Sequence, residues 1–156
     1  MICKATINDL KELLAFEQEV FFCDVERFSE RRLKQILTTP SYVCLIMKND
    51  DNSICGWLTG SIRNFRIPSG RVIKIVVAEK FRRHGLATQM LFMFESELIK
   101  RNVTKVCAEV RESNSASIQL FLKNDYKKRG TLFGYYGCLS ESYNLEDGFK
   151  FWKDLC

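Results

Sequence analysis

A short basic loop in the middle of the chain has the residue types that bind a phosphate group. The loop Arg82-Arg83-His84-Gly85-Leu86-Ala87 follows an apolar, β-branched segment at 72–77. From Leu86 the apolar residues recur at helical spacing, so the loop stands at a predicted helix start. Free backbone N–H groups, the helix dipole and the arginines all favour an anion there. We therefore predict a phosphate-binding loop, which Gly85 and Ala87 leave open to close approach.

Length and composition limit the class of protein. A chain of 156 residues fits one domain, 1–156, and 46% hydrophobic with 28% charged residues is ordinary for a soluble globular protein. No apolar run approaches the ~20 residues of a membrane span, and the first residues do not resemble a signal peptide. We expect a cytoplasmic protein with no membrane partner. The formal charge of +5 suits an anionic ligand, but the basic runs are too short to predict nucleic-acid binding.

Seven cysteines are many for this length, but their pattern does not predict a metal site. There is no C-x-x-C pair, and His84 is the only histidine, so we predict no metal. Most of the cysteines stand in apolar segments, which is typical of small core residues in a reducing compartment. Cys107 and Cys138 have no apparent histidine partner, so a cysteine nucleophile is not predicted either.

Apolar spacing predicts the other elements in the order β-α-α-β-β-β-α-β-α-β-β. Helices are expected after caps at Thr6 or Asn8, at Ser29, and at Ser113-Asn114-Ser115. Strands are expected near 3–6 and at 41–47, 54–62, 71–77, 104–110, 126–132 and 149–152. A turn is expected at 134–137 and a polar loop at 141–144. This order predicts an α/β (α+β) protein with one mixed sheet and helices on both faces.

Three segments resemble motifs of the GNAT acetyltransferases. Arg82-x-x-Gly85-x-Ala87 resembles their pyrophosphate-binding motif, Q/R-x-x-G-x-G/A. Glu109-Val110-Arg111-x-Ser113-Asn114 with Ile118-x-Leu120-Phe121 resembles a segment of RimI-type ribosomal-protein alanine N-terminal acetyltransferases. Tyr135-Tyr136 resembles the paired tyrosines of those enzymes. The order of elements is also the GNAT order, so the resemblance covers nearly the whole chain and implies the GNAT fold, with a mostly antiparallel sheet.

The resemblance implies acetyl transfer from acetyl-CoA, as co-substrate, to an amine by direct attack. The backbone of Ile75, Val76 and Val77 would pair with the pantetheine arm, and an N–H near Val77 would stabilise the oxyanion. Asn114 would contact the same arm, although its position equally predicts a helix cap. The residues implied to contact acetyl-CoA are Ile75, Val76, Val77, Arg82, Arg83, His84, Gly85, Leu86, Ala87, Thr88, Asn114 and Phe121.

Glu109 is the predicted general base. Strand alternation places it on the face opposite Ala108 and Val110, in an otherwise apolar segment. A carboxylate is costly to bury there unless water or a partner meets it, and such groups are common in active sites. The alternative is a structural salt bridge to Arg111 or to a nearby lysine.

Tyr135 and Tyr136 are predicted to line the acceptor side of the site, or else to cover the core from an amphipathic turn. Phe121 stands where the resembling enzymes have a tyrosine, so the proton donor to the CoA thiolate has to be another group. We expect water or one of the two tyrosines to protonate it. Ser117 and Asn124-Asp125-Tyr126 also depart from the pattern of those enzymes.

The acceptor amine can be narrowed by its pKa. An α-amine with a pKa near 8 costs only about 1.4 kcal/mol to deprotonate at pH 7, whereas a lysine amine costs about 4.6 kcal/mol. One carboxylate suffices more easily for the α-amine, which agrees with the resemblance, and the resemblance implies a protein or peptide N-terminus as the acceptor. Two alternatives stay open: acetylation of a small amine, and a non-catalytic acyl-CoA binding module. The sequence does not predict the oligomeric state.

Overall fold

The computed structural model describes residues 1–21, 27–137 and 145–155. In these ranges seven strands form one sheet in the order β1-β2-β3-β4-β5-β7-β6, and only the β4–β5 pair is parallel. The strands are β1 Ile2–Lys4, β2 Tyr42–Lys48, β3 Ile54–Arg63, β4 Ser69–Val77, β5 Lys105–Arg111, β6 Lys127–Tyr136 and β7 Glu146–Asp154. The α-helices are α1 Leu10–Val20, α2 Glu30–Thr38, α3 Leu86–Lys100 and α4 Ser115–Lys123. The predicted order of elements and the mixed, mostly antiparallel sheet are confirmed.

Each face of the sheet has its own core. On one face α3 and α4 pack against the central strands, through residues such as Leu91, Phe94 and Phe121. On the other face α1 and α2 pack on β2, β3 and β4 around Trp57, which is fully buried. That second core takes no residue from β5, β6 or β7. We call this half of the second face, which carries Glu109 and Trp152, the open face.

Local sequence signals explain where the helices begin. Thr6 forms a capping box with Asp9 on the 3-10 turn Ile7–Asp9, which leads directly into α1. The Ser29 hydroxyl accepts from the backbone N–H of Arg32 at the start of α2. Asn114 Oδ1 accepts from the N–H of Ser117 at the start of α4. These side chains satisfy donors that the first helical turn leaves free, which confirms the predicted caps.

The predicted turn at 134–137 is wrong. β6 continues to Tyr136, with an irregularity in its pairing to β7 between Leu132 and Tyr136. Gly134 absorbs the distortion with a φ of 58°, a backbone region that favours glycine. Tyr135 and Tyr136 therefore stand on a strand and not in a turn. The predicted polar loop at 141–144 lies outside the described residues.

The described cysteines Cys3, Cys44, Cys55 and Cys107 are all free thiols. Three of them are buried, and burial raises the pKa of Cys44 to about 12, with a smaller contribution from Asp9. Cys3, Cys44 and Cys55 act as small apolar residues in the two cores, and Cys107 is buried on β5 outside them. The predictions for Cys23, Cys138 and Cys156 fall outside the described residues. In the described ranges no helix is long and apolar enough to cross a membrane.

Candidate active site

The basic loop forms an anion seat at the start of α3. Arg83 and Gly85 both adopt left-handed backbone, with φ of 66° and 73°. In the described chain, the backbone N–H groups of residues 83–88 donate to no protein acceptor, so they remain available to a ligand. Arg82 Nε donates to the Val77 carbonyl oxygen at 2.9 Å and ties the loop to the end of β4. His84 is exposed, and its Nδ1 lies 3.3 Å from the Phe81 carbonyl oxygen.

The central sheet opens next to this loop. β4 and β5 pair only over Ser69–Val72 and Lys105–Ala108. Beyond those residues each strand keeps its outer neighbour, β3 or β7, but the two strands no longer pair with each other. We call the space between Ile73–Val77 and Glu109–Arg111 the β4–β5 gap. An extended ligand arm has unpaired strand backbone to bind in it.

The register of β4 decides which of its backbone groups face the gap. The Ala78 N–H donates to the Cys55 carbonyl oxygen, which makes Val77–Gly56 a pair without mutual hydrogen bonds. The N–H and C=O of Val77 therefore point into the gap, and those of Ile75 do the same two residues earlier. Val76 lies between them and pairs with β3. Two of the three residues predicted to bind the pantetheine arm thus offer it their backbone.

Glu109 lies at the closed end of the gap, directly after the last β4–β5 pair, and is held by Arg71. Arg71 Nε donates to Glu109 Oε2 at 2.6 Å, and Nη2 of the same arginine is also 2.6 Å from that oxygen. Oε1 has only Lys150 nearby, at 4.0 Å. The Glu109 side chain is 9% exposed. Arg111, the partner named in the structural alternative, binds Glu146 instead at 3.1 Å.

Tyr135 and Tyr136 reach the same cluster from β6. Tyr135 is half exposed, and its hydroxyl lies 3.4 Å from Nη2 of Arg71. The two rings meet edge to face at 5.0 Å. Burial first, and then the charge of Glu109, raise the pKa of Tyr136 to about 12. The Tyr136 hydroxyl therefore keeps its proton at neutral pH, and the raised pKa makes it a weaker acid than an exposed tyrosine.

Phe121 lies apart from this cluster, in the core beneath α3 and α4. Its side chain is 3% exposed, stacks on Phe151 at 6.0 Å and meets the Tyr126 ring edge-on at 5.0 Å. The nearest hydroxyl in this stack belongs to Tyr126, which donates to Glu95 Oε1 at 2.9 Å. Any contact of Phe121 with a ligand in the gap is therefore apolar.

A second carboxylate, Glu17, is buried in the core beneath α1 and α2, on the side of β4 away from β5. It is fully buried and accepts from three donors: Trp57 Nε1 at 2.9 Å, Lys74 Nζ at 2.8 Å and the Phe28 N–H at 2.8 Å. The ammonium of Lys74 also lies about 4 Å from the ring centroids of Phe21 and Phe28. This network joins α1 to β4 and to the start of α2.

Sequence reasoning missed Arg71 as a partner of the predicted base, and it expected a nearby lysine without identifying Lys150. Both residues are read easily as exposed strand positions. Their approach depends on the register of β5 with β4 and β7, where Cys107 pairs with Arg71 and Glu109 pairs with Lys150. In the described part of the chain, no three His, Cys, Asp or Glu side chains group as metal ligands would.

Comparisons with known proteins identify related sequences and similar structures. An N-alpha-acetyltransferase of Saccharolobus solfataricus is 35% identical over 103 residues, which cover 60% of this chain and 62% of that relative. The ribosomal-protein-S18-alanine N-acetyltransferase of Escherichia coli has a similar structure, with a TM-score of 0.82, 20% identity and coverage of 99% of this chain and 93% of that one. NAA60 of Arabidopsis thaliana, solved with acetyl-CoA, also gives 0.82, at 16% identity and 99% coverage of both chains. Because residues 7–126 match the family described as Acetyltransferase (GNAT) family, the chain belongs to that family.

Proposed function

We propose that the chain is an N-acetyltransferase that uses acetyl-CoA to acetylate the α-amine of a protein or peptide N-terminus. One observation carries the proposal: the β4–β5 gap has an anion seat at its open end and a carboxylate–tyrosine cluster at its closed end. The phosphates of acetyl-CoA would bind the free N–H groups of residues 83–88. Its pantetheine arm would follow the free backbone of Ile75 and the free N–H of Val77, whose carbonyl oxygen accepts from Arg82. The free thiols are consistent with a cytoplasmic location.

The reaction joins the amine nitrogen to the thioester carbonyl carbon and breaks the carbon–sulfur bond. One proton leaves the amine and one returns to the thiolate. Nε and Nη2 of Arg71 both bind Oε2 of Glu109. Oε1 would therefore be the oxygen that accepts the amine proton, directly or through water. The Val77 N–H would stabilise the oxyanion. Water, or the hydroxyl of Tyr135 or Tyr136, would give the proton to the thiolate.

The name of the archaeal relative supports an N-terminal α-amine as the acceptor. The ion pair gives the same preference a physical reason, since a carboxylate neutralised by Arg71 removes protons from a weakly basic amine more easily than from a lysine. A non-catalytic acyl-CoA binding module is the second candidate, favoured by Phe121, which has no hydroxyl to donate. We place the whole chain in a single catalytic domain, 1–156.

Acetyl-CoA binding is tested by thermal unfolding with and without millimolar acetyl-CoA. We expect a rise in Tm for the wild type, because a ligand that binds the native state stabilises it. Gly85→Glu puts negative charge and bulk at the anion seat and should lose that rise. Gly85→Ala is the matched control, since both variants carry the same left-handed backbone cost of about 1–2 kcal/mol. An unchanged rise in Gly85→Glu would place the phosphates elsewhere.

The acceptor is tested by incubating the protein with acetyl-CoA and separate pools of peptides and small amines, followed by mass spectrometry. The proposal expects a mass gain of one acetyl group at peptide N-termini. Acetylation of small amines alone would favour the small-amine alternative. Acetyl-CoA binding without acetylation of any amine would favour the binding module.

A further inference from the structure

The acceptor must approach from the open face, if the chain is the acetyltransferase proposed above. The anion seat belongs to α3, which packs on the opposite face of the sheet. A thioester lying in the β4–β5 gap is therefore reached by an amine from the side of Glu109, Arg71 and Tyr135. The chemistry of the open face then decides which acceptor chains bind well.

The open face is rich in cations. Next to Glu109 it carries Lys150, and a depression of about 620 Å³ beside it is lined by Lys105, Lys127, Arg129 and Trp152. Trp152 is half-buried in the middle of these cations, and Lys150 lies 5.4 Å from its ring. A short peptide laid across the face would meet an apolar ring with positive charge around it.

Two of these four cations form no ion pair with the described residues, and the other two are paired only at long distance. In the described ranges Lys127 and Arg129 form no ion pair, and Lys150 approaches only Glu109, whose other oxygen Arg71 already holds. Lys105 lies 3.7 Å from Asp154, and both side chains are largely exposed, so that pair is screened and weak. The depression also contains Asp125 and Asp154, but its cations outnumber these two acids. Unpaired surface cations attract an acidic partner and disfavour a basic one.

The sheet geometry gives the distance between this charge and the reacting amine. Glu109 pairs with Lys150 on β7, and Lys150 pairs with Gly130 on β6. Adjacent strands are about 4.8 Å apart, so β6 lies about 10 Å from Glu109. An extended peptide advances about 3.3 Å per residue, so its third to fifth residues reach Lys127 and Arg129 when its amine is at Glu109.

We propose that the acceptor is a protein or peptide with Asp or Glu at its third to fifth positions, bound by Lys127, Arg129 and Lys150 on the open face. A nucleic acid fits less well. The cations span only the width of neighbouring strands, share the face with Asp125 and Asp154, and surround a single tryptophan. A nucleic-acid surface needs a longer basic stripe with several stacking rings.

The test uses three peptides with identical first two residues and with acidic, neutral or basic residues at positions 3–5. We expect kcat/KM for the acidic peptide to exceed that of the neutral one by about tenfold or more at low salt, chiefly through KM, with the basic peptide poorest. The advantage should shrink as salt rises, because exposed charges are screened. Equal kcat/KM for all three would overturn this inference and leave acetyl transfer standing, whereas no acetylation of any peptide would overturn the proposed function itself.

Charge reversal locates the effect. The double variant Lys127→Glu/Arg129→Glu should lower the ratio of kcat/KM between acidic and neutral peptides to about one or below. Lys123→Glu/Lys128→Glu makes the same charge change away from the open face, since Lys128 lies over the Phe149 ring in the other core, and it should keep the wild-type ratio. A ratio lost equally in both variants would overturn the assignment to the open face. Binding of single-stranded RNA is a second outcome that would overturn the proposal. It would do so if the RNA bound the wild type and the control variant but not Lys127→Glu/Arg129→Glu, while the peptides showed no charge preference.

Discussion

Two carboxylates flank β4, and the structure treats them differently. Glu17 is closed off: three donors occupy it, and no part of its side chain is exposed. Glu109 is half occupied: Arg71 holds Oε2, while Oε1 faces Lys150 at 4.0 Å on the open face. Both are paired with a cation of the same strand, so pairing alone does not separate a structural acid from a reactive one. The proposed role of Glu109 as the base depends on Oε1, because proton transfer needs an acceptor oxygen that no hydrogen bond of the protein occupies.

The largest effect expected from this comparison is on stability. Glu17→Ala leaves the Lys74 ammonium, the Trp57 indole N–H and a backbone N–H without their acceptor in a dry site. Removing one partner of a buried ion pair costs about 3 kcal/mol or more, and we expect that loss in urea unfolding monitored by tryptophan fluorescence. Glu19→Ala, on the exposed side of α1, is the matched control and should stay within about 0.5 kcal/mol of the wild type. Equal losses in both variants would contradict a structural role specific to Glu17.

Glu109→Gln should affect turnover more than stability. We expect kcat for a peptide acceptor to fall about tenfold at pH 7, because only about a tenth of an α-amine is neutral there without a base. The loss should shrink towards pH 9 as the amine arrives neutral unaided. The raised pKa of Tyr136, about 12, keeps its hydroxyl protonated over this range, so the pH profile reports on the amine.

Two readouts keep this test specific. The rise in Tm with acetyl-CoA should be the same in Glu109→Gln as in the wild type, since the anion seat lies at the other end of the gap. If Glu109→Gln had the same kcat as the wild type from pH 6 to 9, Glu109 would not be the general base. A large loss of stability instead would make Glu109 a second structural acid like Glu17, and the difference between the two would disappear.

The sequence predicted what depends on neighbours in the chain. The caps at Thr6, Ser29 and Asn114 follow from residues three positions away, and alternation along β5 placed Glu109 opposite Ala108. The fold class followed from the order of such elements and from the family resemblance. These features need no knowledge of which strands lie side by side.

What the sequence did not predict depends on register between distant segments. Arg71 meets Glu109 across 38 positions, and Lys74 meets Glu17 across 57. Many cations in the chain are equally plausible partners before the strands are aligned. The tyrosine pair was placed in a turn because glycines flank it, whereas an irregular strand with Gly134 at positive φ accommodates the same residues. Neither outcome can be read from spacing alone.

The smallest effect is expected at Phe121, which tests whether chemistry is confined to the open face. Its ring is buried between Tyr126 and Phe151 on the side of α3 and α4. Because a CoA thiol is about as acidic as a free cysteine, near 8.5, it leaves as a thiolate with modest help. Phe121→Tyr should therefore be tolerated and raise kcat by less than about tenfold.

Phe151→Tyr is the matched control, since it adds the same hydroxyl to the ring that stacks on Phe121. We expect it to lower Tm without raising kcat, because a buried hydroxyl without a partner is costly. The decisive measurement is kcat on peptide N-termini for the wild type and both variants. If only Phe121→Tyr acetylates any amine, the natural chain is a binding module that lacks its acid. In that case Oε1 of Glu109 would accept no proton in the natural protein. The difference between Glu109 and Glu17 would then mark a site that has lost its catalytic activity.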